Sequence, residues 1–585
     1  MVRDLGVRTP CMNEKYDKSG NKQELAKAIM SRYSRLEADR NYWMSMWQSI
    51  ADLVMPRKSY ILTQTITPTT DKETRLFDST AVRANMVLAA GCMSYITPAD
   101  SRWCSFEAPE GIEDGDGVQE YFAEVTEVVL ETLARSNFHT AIHELYLDRG
   151  CFGTAVLFVE AGETTPLIFR NIDVGSFVLS ENHEGVVDTC FRKFEMTARQ
   201  VVEEFGIENV SDTIRKAYED QKNLDQKFEI IHGVYPRSEK ERNPKKLDGK
   251  NKPFASCYLE CRSKHILREG GYDEKPFMAT RYLKWQQGVY GWSPSWVALP
   301  DIRQLNFLQK QMDALSELAA FPRILVPDGM EGVVDLRAGG ITYFNASDPS
   351  AKPQEWATQG RYDVGLERVK EKQQHINEAF SVPLFQMFTA SESNTPNKMT
   401  ATEVNARNAE RLANFSPTFA RLTTELLIPL LQRVYGILAR RGDLPPPPEA
   451  LIQQDAKGQL FVPDPKVVFN SRIALAVRAI ELAASERSIS RAAMLQQATG
   501  DPSVMDNFNI DAIVREGALS EGMDADHLRD QGEIQQIRQG RAQAQQAAME
   551  QQQMMMAGEF AQKAGGLKSD SLLGQKMMQD DMPIA

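Results

Sequence analysis

Two histidines lie one helical turn apart in the stretch HTAIHE, with a carboxylate beside them. Because residues four apart share one face of a helix, His139 and His143 could in principle bind one metal ion. A catalytic zinc needs a third protein ligand, and the metalloprotease pattern H-E-x-x-H requires a glutamate where this chain has Thr140. Glu144 points roughly 100° away from His143 around the helix. The spacing therefore favours a polar helix edge over a metal site.

Other catalytic patterns are missing from the sequence. It contains no phosphate-binding G-x-x-x-x-G-K-[ST], no dinucleotide-binding G-x-G-x-x-G and no G-x-S-x-G. The acidic run EDGDG (113–117) resembles half of a calcium loop but lacks the glutamate at the twelfth position. We therefore predict no catalytic residue, no metal and no cofactor. Two alternatives stay open: a metal-dependent nuclease or hydrolase that uses the histidine pair, and a helical cytosolic scaffold without a DNA role.

The composition is that of a folded protein with several cores: 585 residues, 42% hydrophobic and 25% charged. The net charge of −13 argues against a protein that binds nucleic acid tightly, but it does not exclude a protein past which DNA must slide, because a negative wall would discourage phosphates from binding. The seven cysteines all precede residue 262 without paired spacing, which predicts free thiols in a reducing compartment. No apolar run approaches the 18 or so residues of a membrane span, so we predict none.

The first half of the chain changes from helical to strand-like patterning. Helical spacing of apolar residues predicts a helix over 23–54, and a further helix over 118–149 contains the histidines. Between 151 and 290 the segments TAVLFVEA, PLIFRNI, FEIIHGVY and FASCYLECR are short, apolar and bounded by turn residues. This texture predicts antiparallel strands.

Three long helices follow in the second half. The first is predicted to begin at Pro300 and end before Pro322, and the second to begin at the N-cap Asp363. After it, residues 383–399 are polar and without periodicity, which predicts a loop. The third helix is predicted to open with a capping box, to kink at two prolines and to end at Gly442. A PPPP linker, the strand KVVFNS, a helical cluster and a Gln/Met-rich tail complete the chain.

Four segments, taken in order, carry a resemblance to a known family: FDSTAVRANMVLAAGCMSYITPADSRWCSF, SNFHTAIHELYLDRGCFGTAVLFVE, YGWSPSWVALPDIRQLN and MTATEV. Over residues 23–530 the chain resembles the head-to-tail connector (portal) proteins of short-tailed, podovirus-type bacteriophages. One departure is GVYGWSPSW, where the family usually has an acidic residue and a Gly-rich stretch. On this resemblance HTAIHE belongs to a scaffold helix that leads into a tight Gly150–Gly153 turn and the first wing strand.

The resemblance implies a predominantly helical α+β subunit with the portal fold, which assembles as a ring. The parts it implies are an N-terminal arm (1–22), a wing of helices and antiparallel strands (23–298), a first stem helix (299–321), a clip (322–361), a second stem helix (362–382), a tunnel loop (383–399), a long kinked helix with the wing return (400–480), a crown (481–530) and a Gln/Met-rich helical barrel or disordered tail (531–585).

The same resemblance implies site residues that face DNA in the channel of the ring. In the tunnel loop these are Ser391, Asn394, Asn397 and Lys398. On the second stem helix they are Arg368 and Lys372. For this stem pair an alternative stays open, because carboxylates at helical spacing on the same helix could neutralise both cations: Glu367, Glu371 and Glu378. In the clip, the residues expected to dock the motor and the tail are Arg323, Asp328, Asp335 and Arg337.

The implied partners are those of a capsid vertex. They are further copies of the chain in a ring of usually twelve, double-stranded viral DNA, the terminase packaging motor, tail adaptor proteins, major capsid and scaffolding proteins, and internal ejection proteins. The implied location is the portal vertex of the virion, after synthesis in the host bacterial cytoplasm. The resemblance implies neither an enzyme activity nor a cofactor.

Overall fold

The structure is a computed structural model. It describes residues 22–58, 61–62, 76–109, 116–162, 165–285 (apart from 221 and much of 239–247), 288–321, 362–387, 415–454 and 460–470, and scattered positions in 323–355 and 488–549. The chain divides into two compact units, which are Met1–Val477 and Arg478–Ala585. In the second unit the described residues are helical over 488–497 and in shorter stretches up to 549.

Four helices form the first part of the first unit: α1 (Lys22–Val54), α2 (Thr80–Ile96), α3 (Asp116–Arg135) and α4 (Phe138–Phe152). The predicted single helix over 118–149 is wrong, because it is two helices, α3 and α4. The break has a tertiary cause. The side-chain amide of Asn137 accepts a hydrogen bond from the backbone N–H of Phe169 and donates one to its carbonyl, at 2.9 and 2.7 Å.

Antiparallel strands follow, as the sequence predicts. Strands β2 (Thr154–Ala161), β3 (Leu167–Ile172) and β9 (Phe277–Arg281) form a three-stranded sheet in the order β3-β2-β9. Strands β4 (Phe177–Glu181), β5 (Val187–Thr197), β6 (Lys227–Pro236), β7 (Phe254–Glu260) and β8 (His265–Tyr272) form a five-stranded sheet in sequence order. Two short helices, α5 (Ala198–Phe205) and α6 (Asp212–Glu219), connect β5 to β6.

The turn between α4 and β2 requires a glycine. Gly153 has φ of +79°, the left-handed conformation that side chains rarely adopt, and its N–H closes the helix on Arg149. A Cβ at this position would also lie 2.6 Å from the carbonyl oxygen of Gly291. The chain entering the strands and the chain leaving them therefore cross at this turn.

Helix α7 (Pro294–Ala320) begins six residues before the predicted start at Pro300. Its N-cap is Ser293, whose hydroxyl accepts a hydrogen bond from the N–H of Trp296, and Pro294 occupies the first turn, where its missing N–H costs nothing. Pro300 lies inside the helix. The Ser-Pro cap therefore determines the start.

Helix α8 (Tyr362–Ala379) is followed by a further short helix, α9 (Val382–Met387). The prediction that the loop begins at 383 is therefore wrong for 383–387. The reason is burial: Leu384 and Phe385 are apolar and only 2% and 3% exposed. Residues 388–414 lie outside the described part of the chain, and so does the predicted capping box of the third helix.

The described part of the third long helix, α10 (Phe415–Arg441), contains a π-helical segment at Thr423–Leu427. Pro429 lies two residues after the end of this segment. A proline removes one backbone N–H, and the wider π-turn accommodates that loss without ending the helix. Gly442 closes the helix in the left-handed conformation, as predicted.

By length and composition, helix α10 could cross a membrane. The sequence predicts no such helix, because no unbroken apolar run approaches about 18 residues. Just over half of its most apolar stretch, 56%, is buried inside the protein. Leu426, Leu430 and Val434 are fully buried there. This burial is typical of a core helix.

The remaining strands are short. They are β1 (Cys104–Glu107), which pairs with β14 (Lys466–Phe469), β10 (Ile324–Leu325) with β11 (Gln354–Glu355), and β12 (Gln453–Gln454) with β13 (Leu460–Phe461). The pair β1–β14 confirms the strand predicted from KVVFNS. It joins the first helices to the chain that follows α10.

Candidate functional site

The two histidines of HTAIHE lie on α4, at the edge of its buried face. His139 is half-buried, its ring lies edge-on to Phe138 with centroids 5.2 Å apart, and its Nδ1 is buried without a hydrogen-bond partner. Burial lowers the pKa of His139 below its usual value, so the imidazole is neutral at pH 7. Across the residues that the structure describes, no three His, Cys, Asp or Glu side chains lie together in a way that could hold a metal ion.

Replacing both histidines tests their role. The double variant His139→Ala and His143→Ala is expected to assemble as the wild type does. The reason is that no third ligand stands beside the pair among the residues that the structure describes, where the neutral His139 ring packs against Phe138. Elemental analysis of the purified wild-type protein checks the metal directly. About one tightly bound zinc per chain, lost in the double variant, would contradict this expectation.

Two charged residues of α4, Asp148 and Arg149, make buried contacts that the sequence did not predict. The Nζ of Lys58 lies 3.0 Å from both carboxylate oxygens of Asp148, which also accepts a hydrogen bond from the side chain of Asn171 at 2.6 Å. Asp148 is 1% exposed. Burial raises the pKa of Asp148, and the Lys58 ammonium opposes that rise. The signal available in the sequence was an Asp-Arg pair directly before Gly150, which lies inside α4, so that the expected Gly150–Gly153 turn is confined to Gly153.

Arg149 is fully buried beside that pair and connects α4 to α10. Its guanidinium donates to the carbonyl oxygens of Arg281 and Thr418, at 3.3 and 3.0 Å, and lies 4.9 Å from the ring centroid of Tyr282. Burial lowers its pKa, although the group stays charged at any ordinary pH. Arg149 therefore joins α4 both to the end of β9 and to α10.

A second buried charge cluster fixes the π-helical segment of α10. Arg281, at the end of β9, donates to both carboxylate oxygens of Glu425, from its backbone N–H at 2.8 Å and from its guanidinium at 2.6 Å. The same guanidinium also forms an ion pair with Glu181, which in turn binds Lys284 at 2.8 Å. The Arg281 side chain is 3% exposed. Three distant segments of the chain are thus joined by one arginine.

Helices α7 and α8 pack against each other as an antiparallel hairpin. A Cβ on Gly365 would lie 2.4 Å from the sulfur of Met312, so the two backbones approach closely there. One end of the contact is held by an ion pair of 2.8 Å between the Lys372 ammonium and Asp301. The sequence offered two roles for Lys372, facing the channel or pairing on its own helix. The structure shows a third, because the partner carboxylate belongs to α7 and the lysine side chain is only 20% exposed.

Arg368, the other stem candidate, lies on the solvent side of α8 and is exposed. Its guanidinium forms no ion pair with any residue that the structure describes, so the alternative pairing with Glu367 or Glu371 is not seen. It therefore remains available to an anion outside this chain.

The segment after α9 is anchored at both ends. The ring of Phe385 stacks on Tyr95 of α2, with centroids 6.1 Å apart, and meets the ring of Phe415 edge-on at 5.7 Å. The chain therefore leaves at Met387 and returns at Phe415 over one aromatic cluster. The candidate loop residues lie outside the described part of the chain: Ser391, Asn394, Asn397 and Lys398.

Of the candidate clip residues, Arg323 and Asp335 are described and both are exposed. Asp328 and Arg337 lie outside the described residues. Nearby apolar side chains are also exposed, among them Ile341 at 71% and Tyr343 at 81%.

Comparison with known proteins places the chain in a family. A family described as bacteriophage head to tail connecting protein matches residues 26–528. The chain is 29% identical to the "Probable portal protein" of Bordetella phage BPP-1 over 92% of its length and 95% of that protein. It is also 29% identical to the "Portal protein" of Salmonella phage epsilon15 over 92% of its length and 94% of that protein.

A solved structure entitled "Neck of empty GTA particle computed with C6 symmetry" aligns with 72% of this chain and 89% of the other, at 14% identity and a TM-score of 0.32. The family match, which covers most of the chain, confirms both the resemblance found in the sequence and the predominantly helical α+β fold class. The chain belongs to the bacteriophage head-to-tail connecting protein family.

Proposed function

We propose that the protein is a portal subunit, one of the copies that form a ring at a single vertex of a bacteriophage capsid. Viral DNA is packaged into the head and ejected from it through the channel of this ring. The observation that carries the proposal is the family match over residues 26–528, together with two relatives named portal proteins that cover 92% of the chain. The role is structural rather than catalytic.

The described elements suit the parts of such a subunit. The hairpin of α7 and α8 supplies the stem, and the exposed stretch between those helices supplies the clip, where the terminase motor and later the tail adaptor proteins dock. The sheets with α1–α6 supply the wing, which meets capsid and scaffolding proteins. The residues after Met387, anchored over Phe385, supply the tunnel loop. Residues 481–530 supply the crown.

Charge supports a channel through which DNA slides. A duplex presents one negative charge per ~1.7 Å of its axis, so a strongly basic wall would hold it in place. The net charge of −13 works against such retention. Arg368 on α8 is an exposed, unpaired cation among the described residues, and a ring of such side chains would centre the duplex through weak, repeated contacts.

The ring itself is the test of this proposal. Purified protein is expected to form a closed ring of about twelve copies, which at 65.8 kDa per chain would weigh roughly 790 kDa. Native mass spectrometry measures this mass, and negative-stain microscopy is expected to show an axial hole. Only monomer or dimer at every protein concentration would refute the proposal, and so would large particles without a hole.

A further inference from the structure

The two outward sides of the α7–α8 hairpin carry opposite charges. The helices meet through Met312 of α7 and through Gly365 and Val369 of α8. Each helix therefore has a second face, turned away from its partner. These two outward faces differ in residue type, and the difference decides what each can bind.

The outward face of α7 is aromatic and basic. At 3.6 residues per turn, five residues of α7 fall within an arc of about 60° opposite Met312: Trp296, Arg303, Phe307, Lys310 and Ala314. Phe321 follows the end of the helix as its C-cap. Phe307 is 59% exposed and Phe321 is 79% exposed. Arg303 is exposed and forms no ion pair within the described chain. No aspartate or glutamate falls within this arc.

The outward face of α8 is acidic. Glu367, Glu371 and Glu378 fall within an arc of about 80° opposite Val369, together with Val364. The three glutamates are exposed, and neither Glu367 nor Glu371 forms an ion pair with a described residue. Lysine and arginine are missing from this arc.

The charges on the two faces also match in their positions along the hairpin axis. The Lys372–Asp301 ion pair and the Gly365–Met312 contact determine which residues of the antiparallel hairpin are level with one another. In this register Arg303 is level with Glu371, and Lys310 is level with Glu367, each to within about 3 Å along the helix axis.

We propose that neighbouring subunits of the ring pack the outward face of α7 against the outward face of α8 in the next copy, with Arg303 binding Glu371 and Lys310 binding Glu367. This inference rests on the proposed function. In a ring whose axis runs along the hairpins, residues at the same position along that axis meet at each subunit boundary. A head-to-tail contact of this kind gives a ring when the rotation between successive copies closes. Phe307 and the apolar part of the interface exclude water around the ion pairs.

A second copy fits these faces better than DNA does. The exposed ring of Phe307, one turn from Arg303, gains nothing from a phosphate backbone, whereas a covering helix removes its apolar surface from water. The acidic face of α8 repels DNA and attracts the basic face of α7. On this arrangement Arg368 lies to one side of the contact and stays free to face the channel.

Charge reversal and its rescue test the contact in the full-length protein. Arg303→Glu and Glu371→Arg, each alone, place like charges face to face at every subunit boundary and are expected to shift most of the protein from rings to monomers at low ionic strength. The double variant restores opposite charges and is expected to recover the wild-type ring fraction. Lys370→Glu, an exposed change on α8 outside the acidic arc, is the matched control and is expected to leave rings intact.

A covalent readout separates assembly from folding. Arg303→Cys combined with Glu371→Cys is expected to give a ladder of covalently linked subunits with a short bismaleimide crosslinker, whose reach exceeds the ~7 Å that a disulfide spans between Cα atoms, whereas either cysteine alone gives none above the background of the native thiols. Two outcomes would overturn this contact alone: a wild-type ring fraction in both single charge reversals, or a ring fraction in the double variant no higher than in the single variants. Wild-type protein that forms no ring would refute the proposed function instead.

Discussion

Capsids built with a shortened tunnel loop are expected to lose their DNA after packaging. The variant replaces residues 389–399 with a short Gly-Ser bridge and keeps α9, because Phe385 of that helix is buried against Tyr95 and Phe415. A long polar segment between two long helices, without periodicity, is usually functional, since a compact fold would use a shorter connection. Its hydroxyl, amide and ammonium groups suit transient contact with phosphates.

The measurement is the amount of full-length DNA retained in purified heads. Rings and their incorporation into capsids are expected to match the wild type, because the aromatic anchor of the loop is untouched, while most filled heads are expected to leak. A matched control keeps the loop length and replaces the four polar candidates by alanine: Ser391, Asn394, Asn397 and Lys398. Leakage in both variants would assign the effect to these contacts, and leakage only in the shortened one to loop length. Normal retention with normal infectivity in the shortened variant would show a passive connector.

Replacing Arg281 by methionine is expected to destabilise the subunit by about 3–5 kcal/mol, the usual effect of removing one partner from a buried ion pair. The change leaves the carboxylates of Glu425 and Glu181, which are 15% and 12% exposed, without their main cation. Lys284 and Arg421 compensate for part of the lost charge. The π-helical segment loses the contact that holds it against β9.

Thermal or urea unfolding of the variant measures this effect, with wild type and variant compared at one protein concentration because assembly contributes to apparent stability. Arg199→Met is the matched control. Arg199 pairs with Glu203 one turn along α5, and both side chains are more than half exposed, so the loss of stability is expected to be far smaller than for Arg281→Met. Equal stability losses in the two variants would show that the Arg281 cluster does not hold the subunit together.

Local pattern in the sequence determined the strands and most of the helices. The segments TAVLFVEA and FASCYLECR are strands where their apolar texture predicts them, because a short apolar run bounded by turn residues can bury itself only by pairing with neighbours. The ordered set of motifs determined the family, and the composition determined the acidic balance that suits a channel wall. These are properties of residues close together in the chain.

Where the charges are neutralised depends on the packing of distant segments. Lys372 finds Asp301, and Arg281 finds Glu425, 144 residues away. Spacing along one helix cannot foresee such pairs, because a buried charge takes whichever partner the packing of distant segments brings to it. The same reason explains α9: its sequence is broken by a proline and lacks periodicity, yet Leu384 and Phe385 are buried, and the burial of apolar surface then makes it a helix. The opposite charges on the two outward faces of the hairpin likewise become visible only once packing has fixed which face of each helix is turned inward.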